Sequence, residues 1–336
     1  MSRAALLLAL AGLAVATALV VHAGFGTVLA AFATAGLGVV WASLVHVLPM
    51  ALNARAWQLL VGRGSPGPRR RRSLPFFFWL VWVREAVNGL LPVARIGGEL
   101  ATARLLVRRG VPGPQAAASL VVDMTASLAS QLVFTLGGIA ALASRAPGGP
   151  VVRTSWIALA AAAPIVVALT LLQRAGAFET TARLARAVAG RRLAALVGSG
   201  RRIDRATTAV YRRPGRVARC AAWQLAGWAA GGAEIWAFLA FAGHPLTVPD
   251  ALAVEAIVQA LSSAAFVVPG ALGVQEGAFV AVGGAVGLPP DAALALALAR
   301  RARDLLVFAP VLAIWQWREA RVVLGGRHPR AGDALS

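Results

Sequence analysis

Twelve ionisable residues lie within or at the edges of apolar stretches: Arg84, Glu85, Arg95, Glu99, Asp123, Glu234, Glu255, Glu276, Arg300, Arg301, Arg303 and Asp304. A charge in hydrocarbon is costly, so such a residue is normally paired or functional. Glu99 and Glu276 follow similar Pro/Gly breaks, Pro92 with Gly97-Gly98 and Pro269-Gly270 with Gly273. Carboxylates there can engage a polar head group or a coupling proton. Arg300, Arg301 and Arg303 beside Asp304 present guanidinium forks that suit a phosphate or the two glutamates. Arg84 and Arg95 offer the same chemistry in the first half, with Asp123 or Glu85 as counter-ions. Asn88 sits one helical turn before Pro92 and can satisfy backbone groups that the break sets free. Plainer roles fit the same residues. A glutamate in a first helical turn is stabilised by the free N–H groups and the dipole there, and Arg300 and Asp304 are spaced i, i+4 for a pair on one helix face.

Nothing in this set supplies a nucleophile, a metal site or a cofactor site. The chain lacks HExxH, a GxSxG nucleophile elbow and a phosphate-binding loop. Cys220 is the single cysteine, and His22, His46, His244 and His328 are dispersed without ligand spacing. An enzyme is therefore not expected.

The elements that must hold these charges are membrane helices. Hydrophobic residues make up 59% of the 336, charged residues only 14%, and mean hydropathy is +0.72. Soluble domains are about 25% charged, so this chain cannot cover a water-soluble globule. The net charge is +20, and all 33 basic residues are arginine. They cluster in loops beside apolar spans, as the positive-inside rule requires, rather than on a soluble face interleaved with aromatics, so nucleic acid is not an expected partner. We expect one integral membrane domain over 1–336, with full spans near 4–23 (an uncleaved first helix rather than a signal peptide), 36–61, 114–143, 153–173, 217–243 and 290–317. The cytoplasmic basic segment 174–216 belongs to a stretch, 174–219, with twelve arginines and two acidic residues. It reads equally as a surface-lying amphipathic helix or as a solvated loop. Trp223, Trp228, Trp236, Trp315 and Trp317 read as interface anchors.

A shift of 177 residues places Pro92 on Pro269, Glu99 on Glu276, Gly110 on Gly287 and Pro112 on Pro289. The motifs lie within 74–127 and 251–304, and three spans separate them. An odd number of crossings makes the repeat inverted, a build common among secondary transporters. A full span at 74–91 would put Arg104, Arg108 and Arg109 on the wrong side, so each motif is expected to be a Pro/Gly-broken re-entrant hairpin. Unpaired peptide groups at such breaks survive only against protein or a water-filled cavity. The expected fold is all-α, with about six full spans and two re-entrant helical hairpins.

The segment Val268-Pro269-Gly270-Ala271-Leu272-Gly273-Val274-Gln275-Glu276-Gly277, with Gly287-Leu288-Pro289 and Arg300-Arg301-Ala302-Arg303-Asp304, resembles the transmembrane region of lysylphosphatidylglycerol synthases. Asn88-Gly89-Leu90-Leu91-Pro92 through Gly97-Gly98-Glu99 is similar to that family's first elbow, although Val93-Ala94-Arg95 stands where smaller residues are the rule. The resemblance covers nearly the whole chain. It implies a lipid flippase region, with lysyl transfer assigned to a separate soluble domain. Arg63, the run Arg69 to Arg72 and the tail arginines Arg318, Arg321, Arg327 and Arg330 place both termini on the cytoplasmic side of a bacterial inner membrane by the positive-inside rule. Because only about twenty residues follow the last expected helix, the chain resembles the stand-alone form. Its length and Arg55-Ala56-Trp57 look most like the branch associated with hopanoid biosynthesis. Expected partners are membrane lipids and lipid-biosynthesis enzymes, and no residue pattern specifies an oligomeric state.

Overall fold

A computed structural model describes residues 36–61, 73–91, 97–145, 147–176, 200–264 and 273–325. The expected first span, the breaks at Pro92 and at Pro269-Gly270, Arg95 and most of 174–199 lie outside them. The described residues are helical throughout, as the composition predicts: a polytopic helical membrane protein.

Helices α1 (Gly38–Val45) and α2 (Val47–Leu60) together make one apolar rod. The seam between them has a local cause, because Pro49 carries no N–H to donate to the carbonyl of Val45. Helices α3 (Leu74–Leu90) and α4 (Gly97–Arg108) pack side by side as a hairpin. α5 (Gly113–Arg145) and α6 (Pro150–Arg174) are long and apolar enough to cross a membrane. Short α7 (Gly200–Tyr211) leads into α8 (Pro214–Phe241). A second hairpin pairs α9 (Val248–Ala264) with α10 (Val274–Ala285), and α11 (Pro290–Gly325) closes the bundle, running eight residues past the end expected from sequence.

The helices of the two segments correspond under the 177-residue shift. α4 at Gly97–Arg108 lands on α10 at Val274–Ala285, and the start of α5 at Gly113 lands on the start of α11 at Pro290. The turns match as well: Gly110 and Gly287 both have φ near 84°, the left-handed region that a side chain resists. Contacts then cross between halves. α3 packs on α11, α9 packs on α5, and α2 packs on α8.

The direction of each hairpin follows from its contacts. Arg109, just past α4, stacks its guanidinium 4.7 Å from the ring centre of Phe76 in the first turn of α3. Both ends of the first hairpin therefore lie at the Gly113 end of α5. At the opposite end of α5, Arg145 Nη2 is 2.9 Å from Asp250 in the first turn of α9. α5 has 33 residues, about 50 Å of helix at 1.5 Å per residue, so the two hairpins open at opposite ends of the bundle. Neither returning helix can cross the hydrocarbon by itself, because each has 12 residues, about 18 Å against the roughly 30 Å required. Close packing in the first hairpin depends on Gly98, where a Cβ would sit 2.5 Å from the carbonyl oxygen of Arg84.

The buried apolar side chains divide accordingly. One cluster, with Leu142, Phe238, Phe279 and Leu288, surrounds the second hairpin at the Arg145 end. Another, with Trp57, Phe77, Leu106 and Phe308, surrounds the first hairpin at the Gly113 end. The faces left for lipid are apolar too: Ile157, Ile165 and Leu171 of α6 are about 60% exposed.

On a Cys220→Ser background, Arg109→Cys and Asp291→Cys report the two hairpin mouths. A membrane-impermeant maleimide is expected to label them from opposite faces; labelling from one shared face would abolish the inverted arrangement.

Candidate functional site

In the first half, Arg84 is buried on α3 and donates from Nη1 to Asp123 Oδ2 on α5 at 2.9 Å. Asp123 Oδ1 also accepts from Gln224 Nε2 of α8 at 2.8 Å. The Arg84 guanidinium lies 5.3 Å from the Trp57 ring centre, so both its edge and its face are occupied. Glu85 is a more distant neighbour, at 3.9 Å, and is partly exposed. Asp123 is thus the principal counter-ion of Arg84, one of the two that the sequence offered.

Asn88 does what its place before the break suggests. Its Oδ1 accepts from the Gly98 N–H at 2.9 Å, while its Nδ2 reaches both oxygens of Glu99 at 3.2 and 3.1 Å. One amide therefore ties the end of α3 to the first turn of α4. Glu99 is partly buried, and among the described residues its hydrogen-bonding partner is this neutral amide rather than a cation.

The second half uses different partners. Glu276 accepts from the Gly273 N–H at 2.9 Å, which caps α10, and from Arg301 of α11 at 2.5 Å. The expected pairing of Arg300 with Asp304 is not what forms. Arg300 Nη2 instead reaches Glu255 of α9 at 2.7 and 2.8 Å, both groups buried, and its plane lies 5.6 Å from the Phe279 ring centre. Asp304 accepts from Arg303, its immediate neighbour in the chain, which also donates to Glu234 of α8. His46, at the seam between α1 and α2, completes this group: its Nδ1 is 3.0 Å from both Glu234 Oε2 and Arg303 Nη1. The i, i+4 pairing of Arg300 with Asp304 loses because such contacts are worth a few tenths of a kcal/mol, whereas a buried carboxylate without a cation costs several.

Glu99 and Glu276 thus sit in separate polar groups, one on Asn88 and one on Arg301, and do not share a contact. The structure gathers Arg300, Arg301, Arg303 and Asp304 on one stretch of α11. Arg95, Pro92, Pro269 and Gly270 are outside the described residues. Sequence reasoning left Glu234, Glu255 and His46 without roles, since their partners lie 45 to 257 residues away in the chain. One signal was available. Under the 177-residue shift Asp123 falls on Arg300, and both join the long helix of their half to the hairpin helix before it with opposite charge polarity. The tryptophans divide: Trp223, Trp236 and Trp317 are exposed as interface anchors are, while Trp228 donates to the Ser127 carbonyl at 3.3 Å.

Buried charges satisfied between helices, within two broken hairpins of opposite direction, define a polytopic helical membrane protein with a polar interior. The lysylphosphatidylglycerol synthase TM region matches residues 6–311, and the chain belongs to that family. It is a membrane domain associated with lipid modification and flipping. No curated protein and no solved structure matches the chain.

Gly231 of α8 allows Glu255 its position, for a Cβ there would meet Glu255 Oε1 at 2.7 Å. Arg300→Met strands the Glu255 carboxylate and is expected to cost about 3–5 kcal/mol. Adding Glu255→Met should restore much of the loss. Thermal unfolding in one detergent checks both; a double variant no more stable than the single would deny the pairing its role.

Proposed function

We propose that this chain is a lipid flippase or transporter, without catalytic chemistry of its own, that moves a lipid or lipid-linked amphiphile across a bacterial inner membrane. Hopanoid-related amphiphiles are the first substrates to test, from the resemblance above. The observation that carries the reading is the pair of hairpins that enter from opposite ends of α5 and each place a glutamate in the first turn of a short returning helix. Around them, guanidinium groups on α3 and α11 supply positive charge at depths where hydrocarbon excludes it unless paired. A head group that crosses the bilayer needs such groups as exchangeable partners, and alternating exposure of the two hairpins gives it a route from each side.

Orientation follows from charge. Arg104, Arg108, Arg109, Arg174, Arg212, Arg213 and Arg318 lie at the Gly113 end, against Arg145 and Arg153 at the other. The positive-inside rule makes the Gly113 end cytoplasmic. The end of α11 is then cytoplasmic, and Gly38, beside Phe241 at the far end of α8, is external. The span expected from sequence near 4–23, outside the described residues, would then return the N-terminus to the cytoplasm.

A second reading makes the chain a non-catalytic accessory protein that scaffolds lipid-biosynthesis enzymes through 174–216. α7 supports it: Tyr211 donates to Gln173 at 2.8 Å and Gln173 to Thr125 at 2.7 Å, which fixes the helix to the bundle with Arg202 and Arg205 exposed.

Reconstituted protein is expected to move fluorescent lipid between leaflets, and Glu99→Gln with Glu276→Gln to slow it on the order of tenfold, about 1.4 kcal/mol of barrier. Arg202→Gln with Arg205→Gln should leave the rate unchanged. An unaltered rate in the glutamate double variant overturns the transport role of these residues; loss of function only in the arginine variant favours the scaffold.

A further inference from the structure

At the Gly113 end, outside the polar interior, a cleft of about 560 Å³ opens between the start of α3, the end of α4 and the last third of α11. Phe76, Trp79 and Trp315 form its apolar wall, and Arg108, Arg109 and Arg318 supply its charge. The volume lies within the roughly 300–1,000 Å³ of small-ligand sites.

The charges in the cleft are not used up by the fold. Glu319 is its single acidic lining residue, and Arg108 and Arg104 already hold that carboxylate. Arg109 and Arg318 make ring contacts instead, 4.7 Å from Phe76 and 5.1 Å from Trp79, and among the described residues neither has a carboxylate partner. Stacking occupies the face of a guanidinium and leaves its in-plane N–H fork for a bidentate anion. The Trp315 indole N–H is buried without a hydrogen-bond partner. The N-terminus of α3 also opens here, through Ser73, Pro75 and Phe76, and a helix N-terminus favours anions.

We infer that this cleft binds the phosphodiester head group of an anionic membrane lipid, with Arg109 and Arg318 as the phosphate fork and Trp79 and Trp315 against the glycerol and upper acyl region. A lipid rather than free phosphate is the fitting source, because the aromatic wall gives a solvated ion nothing while suiting the amphiphilic zone beneath a head group. Net positive charge selects an anionic head over a zwitterionic one. The site stands apart from Glu99 and Glu276, and its occupancy holds whether or not the bundle moves lipid.

Titration of the purified full chain in detergent with dihexanoyl phosphatidylglycerol, dihexanoyl phosphatidylcholine and inorganic phosphate, followed by calorimetry, tests this. Phosphatidylglycerol is expected to bind most tightly. Arg109→Gln with Arg318→Gln should weaken it roughly tenfold or more, the loss of one or two charge-assisted hydrogen bonds. Arg212→Gln with Arg213→Gln, on the same end of the bundle, should leave it unchanged. Trp315→Phe keeps the ring, removes the N–H and should weaken binding to a smaller extent, so the assignment stays testable if the arginine double variant misfolds. Equal affinity for inorganic phosphate overturns the lipid assignment. Unchanged phosphatidylglycerol binding in the folded cleft variants, or equal loss in the Arg212/Arg213 control, overturns the site.

Discussion

Hydrocarbon gives neither a peptide group nor a charge anything to bond to, and each feature of this bundle can be traced to where those groups find partners instead. One amide ties the helices of the first hairpin: Asn88 receives the Gly98 N–H while it holds the Glu99 carboxylate. The second hairpin uses the capping arrangement of Gly273 and Glu276. Small residues make this possible, because a Cβ at Gly98 or Gly231 would enter the space that Arg84 and Glu255 occupy. Apolar packing alone cannot explain helix association where lipid is as apolar as leucine, and close approach plus polar contacts take its place.

Charge pairing gives the bundle a second kind of order. Arg84–Asp123 and Glu255–Arg300 join matching helices in the two halves with the signs exchanged. Each pair is electrically neutral by itself, so the halves can be related by symmetry while the interior carries no repeated like charge. Arg303 stands outside that symmetry. Its partners Glu234, Asp304 and His46 come from α8, α11 and the α1–α2 seam, so one guanidinium faces two carboxylates.

Much of this was legible beforehand, for physical reasons that differ by level. The helical membrane class followed from composition, and the repeat from residues that fix backbone geometry: Gly110 and Gly287 keep their φ near 84° because the turn requires it. Proline, glycine and first-turn glutamates act through neighbours in the chain, so their spacing is informative. Ion pairing acts through space. The pairing of Arg300 with Asp304 was the local choice, and the distant Glu255 won because a buried carboxylate has no cheaper alternative. The seam at His46 was missed because Pro49 sits three residues inside an otherwise continuous apolar run.

The exchange of partners between halves also bears on how such a chain is made. α3 leaves the ribosome more than two hundred residues before α11, the helix that covers one of its faces, and Trp82 has no Val307 carbonyl to bond until then. Arg84 has Asp123 much sooner. A half-covered hairpin, its buried Arg84 already paired with Asp123, must therefore persist until α11 is inserted and covers it.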